Sequence, residues 1–222
     1  MRHTTRLLAL AALAAATWLA GAVPAARAGD ALTLQAGSSL WLTGTSTVHD
    51  YSAKATKLEV TFRSDPARWP ANVTGTEAIE GLIRAGGVSG TDVTVGVTGL
   101  TSGKDGLDKN MYKALLAAEH PEIRFRLEAY QVGEADTSGL PIRANGFLTV
   151  AGVERPVSIA ATVRRDGETL RLRAEVPLLM SQFGVKPPKM MLGTIKTADK
   201  VVVHFDLRIA ADQTQPSASG TE

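Results

Sequence analysis

The chain contains no cysteine. This absence excludes disulfide bonds, cysteine-ligated zinc, iron–sulfur clusters, thiol catalysis and a lipid-modified N-terminal cysteine. The chain also lacks the signatures G-x-S-x-G, H-E-x-x-H, G-x-G-x-x-G and the P-loop. We therefore expect no catalytic residue set, no metal site and no cofactor.

After residue 28 the sequence has no apolar run long enough to span a membrane. The apolar run at residues 7–22 follows Arg2 and Arg6 and precedes the small-x-small site Ala26-Arg27-Ala28. This order is typical of a secretory signal peptide. An uncleaved anchor is the alternative, which the shortness of the run disfavours. We expect residues 1–28 to be removed after Ala28 and the rest to be periplasmic or secreted.

No excess charge of either sign remains once residues 1–28 are set aside. The chain has 24 Lys and Arg against 22 Asp and Glu, and residues 1–28 contribute three arginines and no acid, leaving 21 against 22. A protein with this balance has no global field that would attract nucleic acid or an anionic membrane. We expect no nucleic-acid partner, whereas composition leaves a homodimer open.

The dominant pattern is alternation of apolar and polar residues, which places successive side chains on opposite faces of a strand. Many long strands with short connections favour an all-β fold, either a sandwich or an elongated antiparallel β-barrel of about eight or more strands. Closure is favoured because it removes exposed edges. The alternation is clear at residues 57–63, 122–128, 170–176 and 201–209, weaker at 77–87, 91–99, 140–151 and 156–164, and residues 31–47 also read as extended.

One segment departs from this pattern. Leu107, Met111, Leu115 and Ala118 fall at helical spacing, and Pro121 follows. This predicts one main helix near residues 106–118, begun by an acidic residue. We expect a single domain over residues 29–211, followed by a disordered polar tail at residues 212–222.

Several stretches, in the right order, resemble YceI-family domains. The resemblance covers about residues 38–210 and implies a lipocalin-like barrel, a periplasmic or secreted location, and binding of a polyisoprenoid or related long-chain amphiphilic lipid. The similar stretches are LWLTGTSTVHDY at 40–51, LTSG at 100–103, LDKNMY at 107–112, PEIRF at 121–125, GFLTVAGVERPV at 146–157, FGVKPP at 183–188 and VVVHF at 201–205.

Small residues share the inward register with large apolar ones, and they would leave space inside a barrel. A ligand cavity is one interpretation, and a tapered core filled by its own side chains is the other. The small residues are Gly81, Ala85, Gly99, Ala129, Ala144, Gly146, Ala161 and Ala174. Together with two of these, Ala144 and Gly146, the candidate ligand-binding residues on the inward face are Leu58, Val60, Phe62, Ile83, Val95, Ile123, Phe125, Leu148, Ile159, Leu172, Val203 and Phe205.

Lysines cluster around a Pro-Pro loop near the C-terminal end. Lys186, Lys189, Lys196 and Lys200 surround Pro187-Pro188, beside Met190 and Met191. A solvated loop is one interpretation. The other is a loop at the cavity entrance in which Lys186 and Lys189 bind an anionic head group.

Two other functions stay open at this point. A lyase or hydrolase on the same barrel would use His49, which lies near Ser46 in the sequence. Adjacent strand residues point to opposite faces, which disfavours a His49–Asp50 pair. His204 alternates onto the outer face and is interpreted as a surface histidine. A filled structural or stress-response barrel without a ligand is the third possibility.

Overall fold

A computed structural model describes residues 32–190 and 195–211; the expected signal peptide and polar tail lie outside these ranges. The two helices are α1 (Gly75–Arg84) and α2 (Asp105–Ala114). The strands are β1 (Leu32–Leu34), β2 (Ser39–Ser46), β3 (Tyr51–Ala55), β4 (Glu59–Ser64), β5 (Val88–Gly96), β6 (Leu100–Thr101), β7 (Glu122–Val132), β8 (Leu140–Val150), β9 (Val153–Asp166), β10 (Thr169–Leu179), β11 (Lys189–Met190) and β12 (Ile195–Ala211). Short 3₁₀ turns lie at Pro66–Arg68, Val97–Gly99 and Met180–Phe183.

The sheet closes on itself. β1 and β2 both pair with β12 and are two parts of one interrupted strand. β3 pairs with β6 and β4 pairs with β5, so residues 51–64 and 88–101 are two further interrupted strands that run antiparallel to each other. With β7, β8, β9, β10 and β12 they make eight barrel strands in chain order, and the last strand lies beside the first. The predicted antiparallel β-barrel is confirmed.

In such a barrel the connections alternate between the two ends. The connections at residues 47–50, 102–121 and 151–152, and the one after β10, lie at the end that carries α2. The connections at residues 65–87, 133–139 and 167–168 lie at the end that carries α1. We call these the α2 end and the α1 end. Within the described ranges neither helix has the length and hydropathy to cross a bilayer.

α1 occupies residues that the alternation assigned to a strand, at 77–87. The buried residues Ala78, Ile79, Leu82 and Ile83 follow the helical spacing i, i+1, i+4, i+5. Ile79 and Ile83 are four apart, a separation that fits both the strand and the helix period, so alternation could not distinguish them. Ile83, expected on a strand, therefore lies on a helix.

α1 closes its end of the barrel with apolar side chains. Ile79 and Leu82 are fully buried, in a cluster that includes Phe62. Burial of such a side chain contributes about 1.5–3 kcal/mol. The Tyr130 hydroxyl donates to the Ile83 carbonyl at 2.9 Å and fixes the end of the helix to β7.

α2 confirms the predicted main helix, although it ends at Ala114, before the predicted 118. Its N-cap position is Lys104, and no side chain caps it there. Asp108 instead accepts hydrogen bonds from the Ser102 amide at 2.8 Å, the Ser102 hydroxyl at 2.6 Å and the Thr101 hydroxyl at 2.9 Å. These bonds, those from Ser102 first, lower the pKa of Asp108. They tie the first turn of α2 to β6.

An ion-pair network on the outer face joins β10 to β12. Arg171 binds both carboxylate oxygens of Asp206 at 2.6 Å, and Arg173 approaches the same carboxylate at 3.3 Å. The Asp206 side chain is only 16% exposed. The hydrogen bonds from Arg171 are the main reason that the pKa of Asp206 lies below its usual range.

We predict that Asp206→Asn lowers the Tm at pH 7 by about 2–4 °C, the shift that a loss near 1 kcal/mol produces in a domain of this size. Because the folded-state pKa is depressed, the pair stabilises the fold above the unfolded pKa of about 3.9, and its contribution is lost as pH falls through the folded-state value. Thermal melts from pH 7 to pH 2 measure this. A Tm difference that stays constant down to pH 2 contradicts the assignment.

Candidate functional site

The barrel interior holds two apolar cavities. The α2-side cavity has a volume of about 170 Å³ and the α1-side cavity about 130 Å³. Each is roughly ten times the volume that one water molecule requires. Inward-facing side chains such as Leu148, Ile159 and Val203 are accordingly only half-buried. The described side chains do not fill this barrel.

The two cavities share part of their walls. Val93, Phe125, Ile159 and Phe205 line both. These four residues come from β5, β7, β9 and β12, on different sides of the barrel. They form a waist where the two cavities adjoin, and the two aromatic rings supply most of its bulk. A long molecule that occupied both cavities would pass between them.

The walls are almost entirely apolar. Among the described residues that line the α2-side cavity, only Tyr51, Ser102 and Thr197 have polar side chains. Thr91 and Tyr130 are the corresponding residues of the α1-side cavity. Among the side chains that the structure describes, no Asp, Glu, Lys, Arg or His lines either cavity. Such an interior disfavours burial of a charged group.

Tyr51 places a hydroxyl group at the α2 end of this interior. It opens β3 directly opposite Gly44 of β2. A Cβ at Gly44 would overlap the Tyr51 ring and hydroxyl, so the absence of a side chain there lets the ring lie across β2. Burial raises the pKa of Tyr51, which keeps its hydroxyl protonated at neutral pH. It can donate a hydrogen bond to a polar group at the cavity entrance.

The α2-side cavity is covered by helix and loop rather than by strands alone. Met111, Ala114 and Leu115 line it from α2. Phe183 and Val185, each 3% exposed, line it from the segment after β10 and pack against Ala114 and Leu115. Strand alternation could not indicate these residues as cavity residues, because they lie on a helix and on a loop. Two features of the sequence could have pointed to them: the predicted helix near residues 106–118 and the family-like stretch at residues 183–188.

The α1-side cavity owes its space to small side chains. Ala144, Ala161 and Ala174 line it from three neighbouring strands, β8, β9 and β10. They are among the predicted small inward residues. Others from that prediction lie elsewhere: Gly81 and Ala85 belong to α1 and its cap, Gly99 lies in a 3₁₀ turn, and Ala129 is exposed at an irregularity in β7.

Most of the predicted ligand-binding residues line a cavity. Leu58 and Val60 pack on the neighbouring clusters instead, and Gly146 is buried under Phe125. Those on a cavity wall are Phe62, Ile83, Val95, Ile123, Phe125, Ala144, Leu148, Ile159, Leu172, Val203 and Phe205.

Lys186 does not line a cavity. It is exposed and lies between Val185 and Pro188, which both do. Lys189 pairs through its backbone with Lys196 in β12. The two lysines therefore belong to the segment that borders the α2-side cavity.

The histidines show no catalytic arrangement. The Ser46 hydroxyl donates to the backbone carbonyl of His49 at 2.7 Å and accepts from its amide at 3.2 Å, so it stabilises a turn. His204 lies on the outer face as predicted, but it is only 16% exposed. It stacks on Trp41 with ring centroids 4.9 Å apart, and its Nε2 lies 3.0 Å from the Thr43 hydroxyl. Across the described ranges no group of three His, Asp or Glu side chains could hold a metal ion.

A closed antiparallel barrel with an apolar central space defines a lipocalin-like binding fold. The chain belongs to the YceI family: its residues 36–209 match the YceI-like domain. The resemblance noted in the sequence is thereby confirmed. No curated protein matches the chain.

Three solved structures show the same fold. BcnA of Burkholderia cenocepacia is 19% identical, with a TM-score of 0.60 over 81% of this chain and 100% of that one. A polyisoprenoid binding domain from Saccharophagus degradans, implicated in plant cell wall breakdown, is 13% identical, with a TM-score of 0.54 over 82% and 99%. The Campylobacter jejuni YceI protein is 14% identical, with a TM-score of 0.51 over 72% and 85%.

We predict unequal losses of stability for two substitutions on β8. A Cβ at Gly146 would overlap the Arg126 carbonyl oxygen and lie 2.8 Å from the Phe125 ring, so Gly146→Ala should destabilise the fold by about 1–3 kcal/mol. Ala144→Leu extends into the α1-side cavity and should cost less than about 1 kcal/mol, although it adds more atoms. Urea unfolding measures both. A larger loss for Ala144→Leu would mean that the cavity is not open space.

Proposed function

We propose that this chain is an exported carrier that holds one long-chain apolar or isoprenoid lipid inside the barrel and does no chemistry on it. The observation that carries this proposal is the pair of adjoining apolar cavities without a charged lining residue. Burial contributes about 0.8 kcal/mol per CH₂ group, so a long chain can be held without hydrogen bonds. Family membership supports the same function, since one structural neighbour is a polyisoprenoid binding domain.

The interior suits a chain longer than one ordinary acyl tail. The lining residues of β12 run from Thr197 to Ile209. At about 3.3 Å per residue and a strand tilt of about 40°, this stretch covers about 30 Å along the barrel axis. The hydrocarbon core of a bilayer, two acyl tails end to end, is about as thick. A single tail would fill one cavity, whereas a chain about twice as long would fill both.

The proposed export is inferred from the sequence of residues 1–28. It supports the carrier function. A basic start, an apolar run and a small-x-small site predict removal after Ala28 and a periplasmic or secreted location. A chain without cysteine tolerates an oxidising compartment without forming unwanted disulfides.

We predict that lipid co-purifies with the wild-type protein and that Ala144→Leu removes the longest chains first, because it occupies the α1-side cavity. Solvent extraction and mass spectrometry of both proteins, with the unfolding free energy of each, measure this. Ala160→Leu is the matched control, since Ala160 is exposed on β9 and lines neither cavity. Recovery of no lipid from a stable wild type, purified from its native compartment, would favour a ligand-free barrel.

A head group at the α2 end would meet Tyr51 and the 186–189 segment. Tyr51 lines the α2-side cavity and offers one donor. Lys186 stands exposed next to the lining residue Val185. We infer that a polar or anionic head group lies at this end while the chain extends towards α1.

We predict that Lys186→Ala with Lys189→Ala weakens binding of a long-chain prenyl phosphate about tenfold and leaves the corresponding prenyl alcohol unchanged. Fluorescence competition with both ligands measures this. Lys54→Ala with Lys57→Ala removes the same charge from the side of the barrel and should affect neither ligand. An equal loss for both ligands would show that the two lysines act on the fold and not on the head group.

A further inference from the structure

The α2 end exposes apolar side chains that the rest of the described surface does not. Val48 is 65% exposed, Leu116 is 45% exposed and Leu179 is 40% exposed; they are the exposed large hydrophobic residues of the described ranges. Val48 lies in the β2–β3 connection, Leu116 between α2 and β7, and Leu179 at the last position of β10. All three positions lie at the α2 end.

Unpaired lysines also concentrate at the α2 end. Six of the described lysines lie at the α2 end, exposed and without an ion pair: Lys104, Lys109, Lys113, Lys186, Lys196 and Lys200. By contrast, most arginines are paired with acids, as Arg165 and Arg84 are with Glu80. An unpaired lysine keeps its full charge available for a partner.

The acids at this end cancel part of that charge. Asp50, Asp105 and Glu119 are exposed there without an ion pair in the described ranges. Asp108 accepts hydrogen bonds from Ser102 and Thr101, and Asp199 accepts from the Ser181 amide and hydroxyl; these donors are neutral, so both carboxylates keep their charge. Six unpaired lysines against these five acids leave a small excess of positive charge at the end that exposes the apolar residues.

We infer that the α2 end docks onto the surface of a membrane rich in anionic phospholipid. Exposed apolar side chains at the same end as unpaired lysines are an arrangement that can insert shallowly into the head-group region, while the lysines contact phosphate. The circumference of an eight-stranded barrel is small enough for residues on different connections to meet one surface together. The α2-side cavity lies behind the same face, so docking would bring it next to the lipids.

The test is co-sedimentation of the full-length mature protein with vesicles. We expect binding to vesicles of phosphatidylglycerol and phosphatidylcholine, loss of that binding at high salt, and little binding to phosphatidylcholine alone. Lys109→Gln with Lys113→Gln should weaken binding at least tenfold, since each lysine near an anionic surface contributes about fivefold. Lys57→Gln with Arg143→Gln removes the same charge away from the α2 end and should change it less than twofold.

A second variant tests the apolar component. Val48→Ser with Leu116→Asn should reduce binding to anionic vesicles severalfold at any salt concentration. Asn is chosen because Leu116 has a φ of 55°, a left-handed conformation that Asn accepts. Thermal melts confirm that each variant is folded. None of the four mutated residues lines a cavity, so lipid extracted from the same variants should be unchanged.

The proposal is overturned by any of three results: no binding of the wild type to anionic vesicles, equal losses in the control variant, or a dimer in solution that Val48→Ser with Leu116→Asn dissociates while vesicle binding is absent. The last result would assign the face to a second copy of the chain. Absence of extractable lipid together with vesicle binding would overturn the carrier function and leave the docking surface intact.

Discussion

Closure of the sheet is the constraint on which the rest of this structure depends. Residues 51–64 must pair with 88–101, and the strand formed by β1 and β2 must pair with β12. All of these strands except β12 are interrupted once, and at one interruption the Thr56 amide still bonds to the Gly99 carbonyl at 2.8 Å. Interruptions let a strand turn around the barrel without losing its partner. Closure leaves no edge to aggregate and separates an inside face from an outside one.

Closure alone does not leave the interior empty, because a small barrel can be filled by its own side chains. Here three neighbouring strands each place one alanine on the wall of the α1-side cavity. The walls around such space forgo dispersion contacts and give up stability. Phe125 and Phe205 narrow the space at the waist between the two cavities, and Gly146 provides the room in which the Phe125 ring lies. A bound chain would restore the missing contacts and so stabilise the fold.

The strands and α2 could be predicted from the sequence because their periods are unambiguous over many residues. α1 could not, because its apolar residues Ile79 and Ile83 satisfy both periods and its packing against Phe62 is a long-range contact. For most cavity residues, the sequence predicted that the side chain faces inward, since alternation determines which side of a strand a residue occupies. How far each side chain reaches into the barrel could not be predicted, so Gly146 and Val60 were expected in a cavity that they do not line. The contribution of Phe183 and Val185 depends on how a loop folds back, which no local pattern encodes.

The helices at the two ends of the barrel are held by different contacts. At the α1 end, fully buried Ile79 and Leu82 and the Tyr130–Ile83 hydrogen bond fasten the helix into the core. At the α2 end, apolar packing of Met111 and Leu115 is combined with polar contacts of the first turn, through Asp108, and with the Tyr112 hydroxyl, which donates to the Leu100 carbonyl at 2.7 Å. The same end carries exposed apolar residues, unpaired lysines and the Tyr51 hydroxyl at the cavity wall. In the proposed carrier, this combination suits the end at which the ligand enters.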